Sequence, residues 1–528
     1  MVARFFSRAS TSIASAATLV AALTLGSRLL GLVRDRLLAS TFGAGDTLDA
    51  YYAAFRIPDF VFSLVVLGAL SAGFIPIFSK MEGKDAWRFA NIVCSWLFLC
   101  LAAFASLFIV FAPQLVGLIT PGFSGEKLAL TVLLSRIMAV SPVLLGLSNV
   151  FGGILQSRRR FFIYAAAPSL YNVGIIIGIL FFVRLFGIVG LAFGVVLGAA
   201  LHVGVQAWEV VHLGYRPQVL LHWSREIQRL VALSLSRVGG ILLSQLDLFI
   251  ATIVATTLAG GSVAIFQFAN NIQILPVGLI GIPFALAAFP ALSDTGYRDP
   301  DRFRRELAST TLLVLFFILP LTALLLTLRA QIVRIVLGGT AFDWRATILT
   351  FRTLQWFAIS LFAQSLIPLF ARALYALESA VLPLVSGLAA IGVSVTGYIF
   401  LAPRLGVPGL ALAASAGFLV QCAVLYAMLQ RKVRAFEDGA LLLSLGRLLL
   451  ACLGMAGGMQ LMKSPAAALL GTRTFVGVAA QAALSSAVGV AMYLVVCWIL
   501  RAPELSIAFH GLRRRLIRQA PTPKEVVE

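Results

Sequence analysis

The chain has 528 residues, 60% of them hydrophobic and only 12% charged, with a mean hydropathy of +0.99. No soluble globular domain of this size carries so much apolar side chain, so the sequence describes a polytopic membrane protein. Its formal net charge of +20 mostly punctuates loops instead of gathering on one face or tail, which excludes a nucleic-acid binder and reads as the positive-inside pattern.

A hydrocarbon core about 30 Å thick takes roughly 20 apolar residues per helix. Runs of that length recur from end to end and predict an all-α fold of about fourteen spans. They fall near 13–40, 49–79, 88–112, 128–156, 162–184, 188–211, 228–258, 262–292, 306–328, 346–375, 379–401, 407–430, 440–462 and 475–500. The N-terminal stretch, basic and then apolar, has the outline of a signal peptide. It runs straight into Arg28 and Arg34 as one helical pattern, so no cleavage is expected. Pro58, Pro76, Pro142, Pro276, Pro283 and Pro290 mark bends whose freed backbone groups need protein or water partners. The five cysteines lie in apolar segments without CxxC spacing and read as small hydrophobes. His202, His212, His222 and His510 show no metal-ligand spacing. No GxxxxGK[ST] loop offers an ATP site. The tail containing "LSIAFHGLRRRLIRQ" reads as a basic amphipathic helix on the anionic inner leaflet.

Alternate loops differ in charge. Twenty-five Lys and Arg fall on one side, among them Lys80, Lys84, Arg88, Arg158 to Arg160, Arg216, Arg225 and Arg513 to Arg515, against eight on the other. Both termini are therefore expected in the cytoplasm, and the even helix count agrees. An internal repeat supports the same organisation. "SRLLG" at Ser27 is echoed by "SRVGG" at Ser236, "FIPIFS" ending at Ser79 by "AFPALS" ending at Ser293, and "GIVGLAFG" at Gly187 by "GVPGLALA" at Gly406. Six helices per unit make a parallel repeat with a pseudo-twofold axis along the membrane normal and a site expected at the lobe interface. The expected division is an N-lobe over 1–215, a C-lobe over 216–435, two further helices over 436–501 and a cytoplasmic tail over 502–528.

Eight basic residues remain inside the spans: Arg28, Arg34, Arg36, Arg56, Arg136, Arg237, Arg352 and Arg447. A charge at mid-membrane costs roughly 2.5–3.5 kcal/mol on insertion scales, so several in one helix must face protein or water. Arg28 and Asp35, seven residues apart, share a face, while Arg34 lies well round the helix. Arg36, near the helix end, reads as snorkelling to the headgroups. Arg28 and Arg34, flanked by Gly26 and Gly31, read as lining a cavity. Arg56 and Asp59 bracket Pro58, either as a paired kink or as part of the same cavity, and Arg237 repeats Arg28 in the second half. Guanidinium forks match phosphate oxygens, so an arginine-lined site poor in carboxylates suits a phosphorylated ligand, with a lipid carrier the natural form in such apolar surroundings.

At "SRLLGLVRDRLLASTFGAGDTLDAYYAAFRIPDF" the sequence resembles the MurJ (MviN) family of lipid II flippases, in the multidrug/oligosaccharidyl-lipid/polysaccharide exporter superfamily. The resemblance continues through "GALSAGFIPIFS", "TPGF" at Thr120, "GGILQSRRRFFIYAAAPSLYN" at Gly152, "SQLDLFIATIVATTLAGGSV" at Ser244, "PVGLIGIPFALAAFPALS" at Pro276 and "GVPGLALAASAGF" at Gly406. It implies fourteen helices in two lobes, with the last two helices forming a groove for a lipid tail. The implied activity is movement of an undecaprenyl-pyrophosphate-linked disaccharide-pentapeptide from the inner to the outer leaflet. Arg28 and Arg34 would serve the cationic cavity, Asp35 and Asp49 match acidic positions of the first two helices, and Arg56 matches a basic one. The chain departs from well-known members in the second helix, where a basic pair and a Glu are replaced by Phe62, Ser63 and Leu67. It departs again in the eighth, where Asn270 and Asn271 stand in place of an Arg. The pyrophosphate would then meet the first-helix arginines, these amides and Arg237. Some members bind sodium between the seventh, eleventh and twelfth helices. Asp247 is the acidic counterpart here and the candidate ion-coupling residue, with Ser386, Ser394 and Thr396 as neutral ones.

The expected function is thus a lipid II flippase working by alternating access, and not an enzyme. No cofactor or metal is expected, with membrane potential or an ion gradient as the coupling. Expected partners are lipid II or a similar polyprenyl-pyrophosphate glycan, membrane lipids and cell-wall synthesis proteins, for a monomer in the bacterial cytoplasmic membrane. The alternatives are an exporter of another polyprenyl-linked glycan, a drug or organic-ion antiporter of the same superfamily, and a membrane-embedded polyprenyl-phosphate glycosyltransferase. A drug exporter predicts cavity carboxylates, and a transferase predicts an acidic or His-bearing outer loop.

Overall fold

The computed structural model describes residues 13–64, 68–436, 438–472 and 474–507, without the side chains of residues 13–18, 68–72, 234–238, 241 and 438. Among these residues the chain is helical with no strand, as hydropathy predicts. Joining helices that continue across short breaks gives α1 (Ile13–Phe42), α2 in three pieces (Asp46–Ala54, Arg56–Phe62 and Gly68–Phe78) and α3 (Gly83–Ile119). Next come α4 (Gly125–Ser157), α5 (Phe161–Phe186), α6 (Val189–His212), α7 (Arg225–Thr256), α8 (Ser262–Thr295) and α9 (Pro300–Thr327). After a short helix over Arg329–Leu337 follow α10 (Trp344–Ile359 and Leu361–Ala376), α11 (Val381–Leu405), α12 (Val407–Val433), α13 (Asp438–Leu470) and α14 (Phe475–Ile499). Ten of the described helices are long and apolar enough to cross a membrane, or eleven with the bent α10 pair taken as one span. The segments outside that count, α1, α2 and α7, are those holding Arg28, Arg34, Asp35 and Arg36, then Asp49, Arg56 and Asp59, then Arg237 and Asp247. Polar chemistry and departure from a plain apolar span coincide. The basic tail lies outside the described residues beyond Ile507.

The helices pack as two compact units, one of Met1–Phe268, Val336–Thr350 and Val395–Leu410, the other of Ala269–Ile335, Phe351–Ser394 and Ala411–Glu528. In the first, α5 and α6 meet backbone to backbone. A Cβ on Gly174 would sit 2.2 Å from Gly198 Cα, and one on Gly178 would sit 2.6 Å from Gly194 Cα. Two glycines four apart on each helix make matching flat stripes, and without a hydrophobic drive between helices in lipid, such close approach is what holds them. Beside them Phe74, Phe78 and Phe89 stack with centroids 5.2 and 5.6 Å apart, in a buried cluster that Trp87, Phe151 and Tyr215 extend.

An ionic clamp fixes the entry of α8 in the same unit. Asp49 accepts from the backbone N–H groups of Gly261 (2.8 Å) and Ala264 (2.9 Å), which are orphan donors at a helix start. Lys127, in the first turn of α4, donates to Asp49 (2.9 Å) and to Asp46 (2.6 Å). Gly261 has φ +88°, and a Cβ there would strike the Ala44 carbonyl, so only glycine lets the α1–α2 turn come this close.

In the second unit, α13 and α14 pack side by side, with Gly458 against Met492 and Gly489 against Met459. Tyr493 donates to the Phe316 carbonyl at 2.8 Å and ties α14 to α9. The two halves of α10 meet at 42° about Ser360. There Ser360 Oγ lies 2.9 Å from Ser415 Oγ and accepts from Gln364, while Ser415 donates to the Trp356 carbonyl, so the break is filled by polar partners.

Two outcomes follow. Gly194→Leu forces the α5 and α6 backbones apart and should lower stability by about 1–3 kcal/mol, read as a reduced thermal midpoint of the purified protein in detergent; an unchanged midpoint would mean the stripes are not a contact. Asp49→Ala should cost about 1.5–3 kcal/mol in the same assay and Asp49→Asn less, because the amide still offers an acceptor to the helix start.

Candidate functional site

Arg34 is answered from two helices. Its Nε and Nη2 donate to Asp35 Oδ1 at 3.0 and 2.8 Å, and its Nη1 donates to Asn172 Oδ1 on α5 at 3.0 Å. Asn172 in turn donates to the Ser27 carbonyl (3.3 Å), Ser27 Oγ (3.4 Å) and the Pro168 carbonyl (3.2 Å). Asp35 is 2% exposed, while the Arg34 side chain keeps 22% of its surface. Helical phase separates Arg34 from the Arg28–Asp35 face, yet the long arginine side chain curls back to its neighbour, so Asp35 serves Arg34 and not Arg28. Gly31 lies beside the amide, where a Cβ would make an ordinary contact with Asn172 Oδ1 at 3.9 Å. Three of the five guanidinium N–H groups are used, which leaves one on each terminal nitrogen. Those two N–H groups are donors a carboxylate or phosphate can take up. Arg28, half-buried, forms no hydrogen bond or ion pair among the described residues.

A second polar pocket lies where α2 breaks. Arg56, Asp59, Phe62, Ser63, Gln245, Leu248 and Phe249 line a cavity of about 260 Å³. Arg56 is 7% exposed and donates through Nη2 to Gln267 at 2.7 Å, while its Nε is buried with no partner. Arg56 and Asp59 both line this cavity, and Arg28 and Arg34 are not among its lining residues. Tyr52, stacked edge-on against Phe268 at 5.7 Å, also buries an unpartnered hydroxyl. Ser63 accepts from Gln245 at 2.9 Å across the pocket wall, at one of the positions where the resemblance leads one to expect a charge.

The other expected residues are dispersed. Asp49 is taken up by the clamp at the start of α8. Asp247 is half-buried on α7, and Tyr398 donates to both of its oxygens at 3.2 Å. Ser386 and Ser394 are buried in the second unit. Asn270 and Asn271 also belong to the second unit, with Asn270 accepting from Gln273 at 3.0 Å. Arg237 is on α7, and its side chain lies outside the described residues. Arg136 donates to the Ile109 carbonyl at 3.0 Å, a helix-to-helix tie. Asn172, Lys127 and Gln267 were not singled out by sequence reasoning. Of these, Asn172 had a readable signal, a lone amide in the apolar run "PSLYNVGIII" four residues after Pro168.

The family model described as "Lipid II flippase MurJ" matches residues 38–479. A "Probable lipid II flippase MurJ" of Rhizobium tropici is 29% identical over 518 residues, covering 95% of this chain and 96% of its own length. One of Rhizobium meliloti is 30% identical over 459 residues, covering 83% of this chain and 84% of its own. A solved structure titled "Lipid II flippase MurJ, inward closed conformation" superposes with a TM-score of 0.77 at 24% identity, covering 91% of this chain and 98% of that one. Fourteen helical segments and a guanidinium fork held in the first of them thus occur in a sequence matched along most of its length, and the chain belongs to the MurJ family of lipid II flippases.

Proposed function

We propose that this multi-pass membrane protein moves lipid II from the inner to the outer leaflet of the bacterial cytoplasmic membrane, with both termini in the cytoplasm. The pyrophosphate is held by the N–H groups left on Arg34 and by Arg28, and two six-helix lobes expose that site to either leaflet in turn. The observation that carries this reading is the Arg34–Asp35–Asn172 arrangement. Two partners, the buried Asp35 carboxylate and the Asn172 amide, fix the guanidinium plane while leaving one N–H on each terminal nitrogen, which pre-organises it for a phosphate. Arg28, lacking a protein partner among the described residues, adds a second cation. The unpaired Arg56 Nε and Tyr52 hydroxyl are buried donors that a polar ligand or water would satisfy.

Each charge-assisted bond to phosphate contributes about 1.5–3 kcal/mol. Energy for the cycle is drawn from the membrane potential, worth about 2.3 kcal/mol per charge per 100 mV, or from an ion gradient acting at Asp247. Lipid II is a diffusible lipid, so the site needs moderate affinity and a geometry that lets go on the far side.

The test is complementation of a strain depleted of its own lipid II flippase. The unmutated chain should restore growth. Arg34→Ala should abolish rescue, Arg34→Lys should rescue weakly because it keeps charge without the fork, and Asn172→Ala should fall between. With purified protein in vesicles, losing one such bond should weaken lipid II binding roughly ten- to a hundredfold. Rescue by both Arg28→Ala and Arg34→Ala would overturn the clamp, and failure of the correctly inserted unmutated chain would overturn lipid II as substrate.

A further inference from the structure

The segment joining α6 to α7 is an extended strap, and its partner is written in its alternation. From Arg216 to Ser224 the residues read Arg, Pro, Gln, Val, Leu, Leu, His, Trp, Ser. Extended backbone sends successive side chains to opposite sides. The odd positions, Pro217, Val219, Leu221 and Trp223, are apolar, and the even ones are polar apart from Leu220. Val219 is 85% exposed, Leu221 54% and Trp223 53%, so a row of large apolar side chains is turned away from the protein.

The backbone is held along one side only. Asn91 of α3 donates to the Arg216 carbonyl at 3.0 Å and accepts from the Gln218 N–H at 3.0 Å. Ser95, one turn on, donates to the Gln218 carbonyl at 3.4 Å and accepts from the Leu220 N–H at 3.0 Å. Trp96 donates to the His222 carbonyl at 3.3 Å, and its ring meets that of Trp223 edge-on at 5.6 Å. Three side chains on one face of α3 thus act as the neighbouring strand of a sheet. The ends are pinned as well, since Tyr215 is buried against Trp87 and Phe151 and Ser224 caps α7.

The level of the strap follows from α3. Its last charged residue is Arg88, and from Leu97 to Ile119 the helix is apolar apart from Ser106 and Gln114. From Leu97 to Ile119 the helix rises about 35 Å, enough to cross the hydrocarbon by itself. Asn91 to Trp96 therefore sit in the boundary layer on the side of Lys84, Arg88, Arg158 and Arg159, and the strap lies there with Arg216, Arg225 and Arg229 around it. Tryptophan pairs favour that depth. Extended backbone bonded on one side only does not belong deeper, where every N–H and C=O needs a partner.

We propose that Arg216–Ser224 is an interfacial membrane strap whose occupant is the lipid leaflet. Val219, Leu221 and Trp223 insert among the upper acyl chains, Gln218 and His222 stay in the headgroup water, and the basic residues at its ends meet lipid phosphates. The strap thereby sets the depth at which α7 starts. This proposal does not depend on what the protein transports.

The test uses the full chain with Cys100→Ser, the remaining native cysteines being buried. Val219→Cys, Leu221→Cys and Gln218→Cys are each spin-labelled in vesicles of phosphatidylethanolamine and phosphatidylglycerol, with the unlabelled-site background as control. Oxygen should relax labels at 219 and 221 more than an aqueous nickel chelate does, and the order should invert at 218. Nickel dominance at 219 and 221 would place the strap in water and overturn the proposal. Protection from both reagents would mean that protein, a second copy or another partner, covers the row, and would overturn it equally. Because the three positions are exposed, the substitutions leave the core untouched, and loss of the alternation between 218 and its neighbours also counts against it.

Discussion

A guanidinium in the apolar stretch of a transmembrane helix is tolerable only when its N–H groups are answered, and the way Arg34 is answered organises the rest of the first unit. Asp35 alone would give a neutral pair with no orientation. Asn172 adds a second direction, and it reaches Arg34 because α5 runs beside α1 there. The position of α5 is fixed in turn by Gly174 and Gly178 against Gly198 and Gly194 on α6. The glycine stripes are therefore part of the machinery that holds the fork, although none of them is polar. Packing at ångström distances sets where an amide can stand, and the amide sets how a charge is aimed.

The same rule, that polar groups in lipid must be paired or must face a cavity, sorts the remaining charged residues by role. Asp49 has three donors and behaves as a fastener, binding the start of α8 to α2 and α4. Ser360, Gln364 and Ser415 fill the α10 break in the second unit. Arg56 is different, since it has one amide acceptor and a buried Nε without a partner beside a cavity of about 260 Å³. Fully paired groups hold the fold. Incompletely paired ones are where a ligand or water can still contribute.

Much of this was legible in the sequence because lipid simplifies the problem. A span must be long and apolar, so most of the segments could be read from hydropathy, and the charges that violated the rule marked α1, α2 and α7 as different. Helical phase was a weaker guide: it put Arg28 on the face of Asp35 and Arg34 well round the helix, but an arginine side chain is long enough to reach an adjacent residue, and Arg34 does. Asn172, Lys127 and Gln267 were harder still. Their importance comes from partners 138, 78 and 211 residues away, and no periodicity encodes a contact at that range. The glycines that make those contacts feasible were visible only as composition. The α6–α7 strap is the opposite case, a short period-two pattern set between two helical ones.

Replacement of charge by amide deserves its own physical account. At positions where the family resemblance implies charge, Ser63 is bonded to Gln245 and Asn270 accepts from Gln273. An amide donates a neutral hydrogen bond, worth roughly half a charge-assisted one, and left buried without a partner it costs about 1–3 kcal/mol, less than an unpartnered charge does. On the proposed function, an anion held by the few guanidiniums of the first helix is bound less tightly than one in a ring of arginines. Such a site also resists transit less, because the energy needed to strip the ligand from each guanidinium is summed over fewer of them. For a carrier that must release what it binds, fixing the plane of Arg34 through Asp35 and Asn172 recovers in geometry part of what is given up in charge.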